Sequence, residues 1–240
     1  MTDFQQHYQQ FYRRGNVDEW RRIGAVGKAA NIVRGWAEVV GSPRRPHVIE
    51  LGCGDGAIAQ QLHELNYFSK YQGFDISDSG IQLACARNIP NASFTVAATS
   101  IPVEDDAADV VVMSHVIEHL EHPRQLIEEA HRIAPLLIVE VPCELNRRMP
   151  QEYDWNPVGH INHYNPASIR ALLQTCRYDV AGQFTTNPCR QLQTFQQPGW
   201  KSTAKWAAKE LALRTAPKLA TTQFTYHETL MAWRNNRSFN

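Results

Sequence analysis

The sequence predicts an α/β fold: a doubly wound, mostly parallel seven-stranded sheet with helices on both faces, the last strand antiparallel, and a helical arm at the N-terminus. Three observations lead there. Apolar runs of strand length alternate with segments of helix length between residues 47 and 141, and strands joined through helices imply right-handed crossovers and parallel pairing. The first run ends in a turn with glycine at alternate positions, Gly52, Gly54 and Gly56, which is how a buried strand turns sharply into a helix. The final segment, Phe224–Arg234, alternates like a closing strand after a less regular stretch.

Each element has its own signal. Residues 3–40 read as helical: Phe4, Tyr8, Phe11 and Tyr12 share one face, and Trp20, Ile23, Val26, Ala30, Val33, Trp36 and Val40 another, at three- and four-residue steps. The breaker Gly41–Pro46 separates this arm from strand His47–Leu51. Then follow helix Ala57–Glu64, strand Tyr71–Asp75, helix Ser79–Asn88, strand Ser93–Val96, strand Asp109–Met113, helix Arg124–Ile133 and strand Leu136–Val141. Residues 143–165, with several prolines, suit an irregular loop. Asn165 as N-cap and Pro166 in the first turn start a helix to Cys176. Tyr178–Thr185 reads as a strand, and residues 187–222 as an insert with a helical stretch from Lys201 to Arg214.

The totals narrow the function. A 43% hydrophobic chain of 240 residues can bury a sizeable core. Lys+Arg and Asp+Glu balance at 24 each, leaving no footprint for nucleic acid or an anionic membrane. Five widely spaced cysteines form no CxxC pair, so neither a disulfide framework nor a zinc site is expected. His160 and His163 with Asp154 match no standard metal spacing, and no metal is expected. The start of the chain has no apolar core of a signal peptide, and no run approaches the ~20 residues of a membrane span; a cytoplasmic protein is expected.

The segment Glu50-Leu51-Gly52-Cys53-Gly54-Asp55-Gly56 carries the most chemistry. Its acid-x-Gly-x-Gly-x-Gly spacing resembles the first motif of the class I, Rossmann-like methyltransferases that use S-adenosylmethionine (SAM) and release S-adenosylhomocysteine. On that resemblance Gly52, Cys53, Gly54, Asp55 and Gly56 approach the cofactor, and Glu50 meets its methionyl ammonium or orders the loop. Asp75, 19 residues beyond Gly56 and followed by Ile76, accepts the ribose hydroxyls. Ser114, His115 and Val116, where the fourth strand turns, line the methionine and sulfur. The family's frame after strand three usually supplies an Asp to the adenine amino group. Here it reads Val96-Ala97-Ala98-Thr99-Ser100-Ile101-Pro102, with Ala97 in that place, which leaves Ala98 and Thr99 to meet the ring. The resemblance covers residues 47–141 well and 159–180 more loosely. It divides the chain into a helical arm or lid, 1–45, and a SAM-binding domain, 46–240, with the insert at about 187–222.

The implied activity is methyl transfer to a small-molecule or carrier-borne acceptor, with oxygen favoured because candidate bases are present. Gly159-His160-Ile161-Asn162-His163-Tyr164 resembles a Gly-His-x-x-x-aromatic segment of many small SAM enzymes, which makes His160 and His163 the candidate bases; His115 and His119 are alternatives. Two other readings stay open at this level. Gly52–Ala57 also passes as GxGxxA, so a nicotinamide-dependent oxidoreductase is the rival enzyme. A non-catalytic SAM-binding subunit is the other.

Overall fold

The computed structural model describes residues 17–41, 44–149, 159–196 and 198–236; the aromatic face of Phe4 to Tyr12 and the acid Asp154 lie outside them. Seven strands form one sheet: β1 (His47–Leu51), β2 (Lys70–Asp75), β3 (Ala92–Val96), β4 (Val110–Ser114), β5 (Leu136–Pro142), β6 (Tyr178–Thr186) and β7 (His227–Arg234). Their order is β3-β2-β1-β4-β5-β7-β6. The first five pair in parallel, and β7 runs antiparallel between β5 and β6, as the sequence predicts. Eight helices connect the strands among the described residues: α1 (Val17–Val40), α2 (Ala57–Glu64), α3 (Asp78–Ala86), α4 (Pro123–Ile133), α5 (Pro166–Thr175), α6 (Arg190–Gln196), α7 (Trp200–Thr215) and α8 (Pro217–Gln223).

Strand periodicity sorts the core into two layers. Val48, Val110, Val112, Leu136 and Ile138 face one side, where they pack with Ala25, Ala29, Ile32 and Trp36 of α1 and with Ile58 and Leu62 of α2. Ile49, Leu51, Val111, Met113, Leu137 and Val139 face the other, against Leu126, Ile127, Ala130 and Ile133 of α4 and Ile169 and Leu173 of α5. Alternate residues of a strand point to opposite faces, and a sheet covered on both faces must be apolar at every position. That is why β4 and β5 read as apolar runs, broken within β5 only by Glu140.

Two details position the site. The strand order reverses between β1 and β4, and the crevice at such a switch point, beyond the carboxyl ends of the strands, is where open α/β sheets take ligands. At α5, the Asn165 side chain accepts from the N–H groups of Ala167 and Ser168 (3.0 and 2.8 Å), while the Asn165 N–H donates to Ser168 Oγ at 3.0 Å. This reciprocal cap fixes where residues 160–164 enter the helix. The insert resolves into α6, α7 and α8, and the closing strand starts at His227 rather than Phe224 because Pro217 opens an extra helix that runs to Gln223.

Candidate active site

A cavity of about 720 Å³ opens over the switch point. One end is made by the glycine loop. Gly52 N–H and Cys53 N–H both donate to the carbonyl of Phe74, at 2.7 and 3.0 Å, which ties the loop to the end of β2. Gly52 sits at φ +80, and a Cβ there would come within 2.4 Å of Val116 Cγ2; only glycine allows the loop to lie this close to the turn after β4. Gly56 caps α2 at φ 73, and a Cβ there would crowd Ala84 and Phe94.

The acids around this loop differ in task. Asp75 accepts from Gly54 N–H through Oδ2 and from Ser77 N–H through Oδ1, both at 2.8 Å, and still lines the cavity. Burial pushes its pKa up, against these backbone bonds. Asp55 pairs with Arg21 of α1 at 3.1 Å and with Arg87 at 2.8 Å; its carboxylate staples the loop to two neighbouring segments. Glu50 lies behind the cavity wall, accepts the Tyr71 hydroxyl, and has no partner for Oε1 among the described residues. Burial raises its pKa to about 8. Ile76, Ala97, Ala98, Thr99, Ile101 and Leu126 continue the wall as a mostly apolar slot.

The other end is a basin of histidines. His115 has a left-handed backbone, φ 59, unusual for a side chain with a Cβ. Its N–H donates to the Glu140 carbonyl at 2.9 Å. Its ring stands edge-on to His227, centroids 4.4 Å apart, with Nε2 3.2 Å from Glu140 Oε1 and Nδ1 3.4 Å from Glu118 Oε1. Burial, with Lys28 and His227 nearby, pushes His115 well below its ordinary value and keeps it neutral. Glu118 is fully buried, neither carboxylate oxygen has a hydrogen-bond partner among the described residues, and burial raises its pKa to about 7. His160 Nδ1 lies 2.7 Å from Glu144 Oε2, and its ring packs against His119 at 4.7 Å. Burial alone would lower the His160 pKa, but the bond and charge of Glu144, with Glu118 behind, bring it above the usual histidine value. Two sets of donor atoms, His115–Glu140–His227 and Glu118–His119–His160, each lie within 4.8 Å of one another and are of a kind that takes a divalent cation. Burial lowers the pKa of Lys28 beside this space, and the charges of Glu140, Glu118 and Glu50 offset part of that shift.

Residues 19–181 match the family model described as a methyltransferase domain. The chain belongs to the class I SAM-dependent methyltransferases. Its cofactor is SAM, and the nicotinamide alternative falls away. Among curated relatives it is 29% identical over 103 residues to a demethylmenaquinone methyltransferase of Chlamydia felis, covering 42% of this chain and 44% of that one. It is 26% identical over 88 residues to the mitochondrial ubiquinone biosynthesis O-methyltransferase of Candida albicans, 34% of this chain and 27% of that one. The matched part spans less than half the length of these relatives. The solved phosphoethanolamine N-methyltransferase 2 of Haemonchus contortus superposes with a TM-score of 0.67 at 12% identity, covering 98% of this chain and 61% of the other; at that identity the likeness is one of fold.

Against the sequence reading, this methyltransferase brings Gly52, Cys53, Gly54, Asp55, Asp75, Ile76, Ala98, Thr99, Ser114, His115, Val116 and His160 to one cavity wall. Glu50 and Gly56 lie just behind it. His163 does not line the cavity; it follows Asn162, whose side chain donates to the carbonyls of Ile117 and Leu120 at 3.2 and 2.6 Å and anchors the segment from the rear. Reading the sequence missed Lys28, Glu118, Glu140, Glu144 and His227. Only Glu140 and Glu118 had a visible signal, an acid within or beside an otherwise apolar strand.

Proposed function

We propose that this methyltransferase moves the methyl group of SAM to an oxygen of a small acceptor held in the histidine basin. His160, positioned by Glu144, removes the acceptor's proton. The observation that carries the reading is the 2.7 Å pair His160–Glu144 in the same cavity as the glycine loop. A carboxylate on Nδ1 holds the imidazole in the tautomer whose Nε2 is basic. A base raised above the usual value is neutral at mildly alkaline pH and still strong enough to help a hydroxyl lose its proton. The Candida albicans relative, an O-methyltransferase of ubiquinone biosynthesis, agrees with this reading.

For the cofactor, each oxygen of Asp75 accepts one backbone N–H and keeps a lone pair for a ribose hydroxyl. The glycine loop and Ser114–Val116 take the methionine part, the Ala98 N–H and Thr99 the adenine, and Glu50 acts through the order of β1 and β2. Methyl transfer from a sulfonium is an in-line displacement on an activated donor, so alignment is the protein's main contribution.

The test is a methyl-transfer assay with SAM and three probes, a catechol, a primary amine and a 1,3-diketone, read by mass spectrometry for the wild type and His160→Gln. Methylation of the catechol oxygen, largely lost in the variant, is expected. Methyl on nitrogen or carbon, or full turnover in His160→Gln, sinks the proposal.

A further inference from the structure

Helix α7 carries an apolar stripe on its outer face, while Trp206 and Leu213 are half-buried on the opposite side. Its inward-facing buried residues are Ser202 and Lys209, while Trp200 is 76% and Leu211 63% exposed. Trp200, Ala204, Ala207, Ala208 and Leu211 recur at four-, three-, one- and three-residue steps, which places them on one stripe of the helix, and each of them is exposed. Leu219 of α8, 60% exposed, and Phe195 of α6, 39% exposed, extend apolar surface onto the neighbouring helices. In a chain whose charges cancel, residues 187–223 carry Arg190, Lys201, Lys205, Lys209, Arg214 and Lys218 against the single acid Glu210, and Glu210 is paired with Arg214 at 2.9 Å.

From this we propose that the α6–α8 insert docks on an anionic lipid bilayer, with Trp200 and Leu211 entering the interface and the exposed Lys201 and Lys218 meeting lipid phosphates. An exposed apolar stripe edged by lysine and arginine, with an aromatic at one end, is the pattern of a helix that lies in a membrane interface. Basic residues near an anionic surface add electrostatic attraction that salt weakens. A second copy of the chain fits the surface less well, because two such basic faces repel one another. Leu192, Gln193, Lys205 and Lys209 of the insert also line the cavity. Docking therefore sets the cavity beside the bilayer, and, on the methyl-transfer reading above, admits an apolar acceptor dissolved in it.

The experiment is sedimentation of the full chain with vesicles of phosphatidylcholine alone and of phosphatidylcholine with roughly a quarter phosphatidylglycerol, each repeated at rising salt. Binding to the anionic vesicles that weakens with salt, and falls about tenfold or more in Trp200→Ala/Leu211→Ser, is expected. Lys201→Glu/Lys218→Glu should lose the preference for anionic lipid. S-adenosylhomocysteine binding and thermal unfolding, measured on the same samples, should be unchanged in both variants, since these four side chains lie outside the cavity lining. No binding to anionic vesicles, equal binding to both vesicle types, or binding indifferent to both variants overturns the proposal. So does a dimer in light scattering that the first variant dissociates. Vesicle binding with no methyl transfer to oxygen would count against the catalytic reading alone.

Discussion

The two ends of the cavity are built on different plans. The proposed cofactor end draws its lining from short contiguous stretches within residues 51–57, 75–76, 97–101 and 114–116, each at the carboxyl end of a parallel strand. Much of its shape is backbone: two N–H groups on the Phe74 carbonyl, and glycines placed where a Cβ would strike Val116 or Ala84. The proposed acceptor end is assembled from side chains far apart in sequence: Lys28 on α1, Glu144 and His160 on the loop, Lys209 on the insert and His227 on β7, with His115 where the two ends meet. A site made of backbone is fixed by the fold and tolerates few residues. A site made of distant side chains can be changed one residue at a time without touching the sheet. The comparison therefore predicts that substitutions at the two ends separate cleanly in their effects on cofactor affinity and on turnover.

The largest effect is expected at the acceptor end. His160→Gln should lower turnover by about 10²–10⁴ through loss of the base, while calorimetry finds SAM affinity unchanged. A parallel drop in affinity would show that the two ends are one mechanical unit and that the 159–164 loop is structural.

Asp75→Ala is the matching cut at the cofactor end. Removing an acceptor of the ribose hydroxyls should weaken SAM binding by about 1.5–3 kcal/mol, roughly ten- to a hundredfold. Asp75 also receives Gly54 N–H, so Asp75→Asn, which keeps one acceptor oxygen, separates the ligand bond from the loop bond; it should bind SAM better than the alanine variant. Equal affinity of wild type and Asp75→Ala would remove this acid from the ribose.

A smaller gain is expected where the chain departs from the family pattern. Ala97 lines the cavity, and its N–H donates to the Asp75 carbonyl at 2.9 Å, so the backbone at this position is set whatever the side chain. Ala97→Asp should restore a carboxylate to the adenine amino group and tighten SAM by about tenfold. No change, or weaker binding, would mean that the apolar slot of Ile76, Ile101 and Leu126 recognises the ring without it.

The same division explains what the sequence made legible. Strand-and-helix alternation and the glycine spacing are local, and they led to the doubly wound parallel sheet, its antiparallel close and a set of residues that the structure brings to one cavity. Glu140 could not be recognised as a site residue because its partners Asn31 and Thr229 are 109 and 89 residues away. Lys28 sits within a helix whose spacing reads as core, and nothing local marks it as facing carboxylates. The balanced charge total concealed the basic insert, since a sum over the chain carries no position. The exposed stripe of α7 needed the structure as well: a run of tryptophan, alanine and leucine normally signals a buried face, and only its neighbours show that it points outward.

The subtlest prediction tests how the acceptor end sets its own acidity. His160 must be neutral to act as a base, and Glu144 lifts its pKa, so turnover should rise with pH through an inflection above about 6.5, the usual histidine value. Removing the negative charge in Glu144→Gln leaves burial to dominate, and the inflection should move to lower pH while the cofactor affinity stays put. Stability should respond through the same group. A histidine whose folded pKa is raised stabilises the fold most fully below its unfolded value and loses that contribution as pH climbs through the folded value. Thermal unfolding from pH 5 to 9 should therefore show wild type losing, relative to Glu144→Gln, an advantage it holds at the acid end. Glu50 titrates over an overlapping range and makes the contrast necessary. Its pKa of about 8 means that it folds protonated, so ionisation costs stability as pH rises from about 4.5 to about 8. That cost is common to wild type and Glu144→Gln, and it cancels in their difference. If the difference is flat with pH, the His160–Glu144 pair is not ionic, and the base must be sought at His115 or His119.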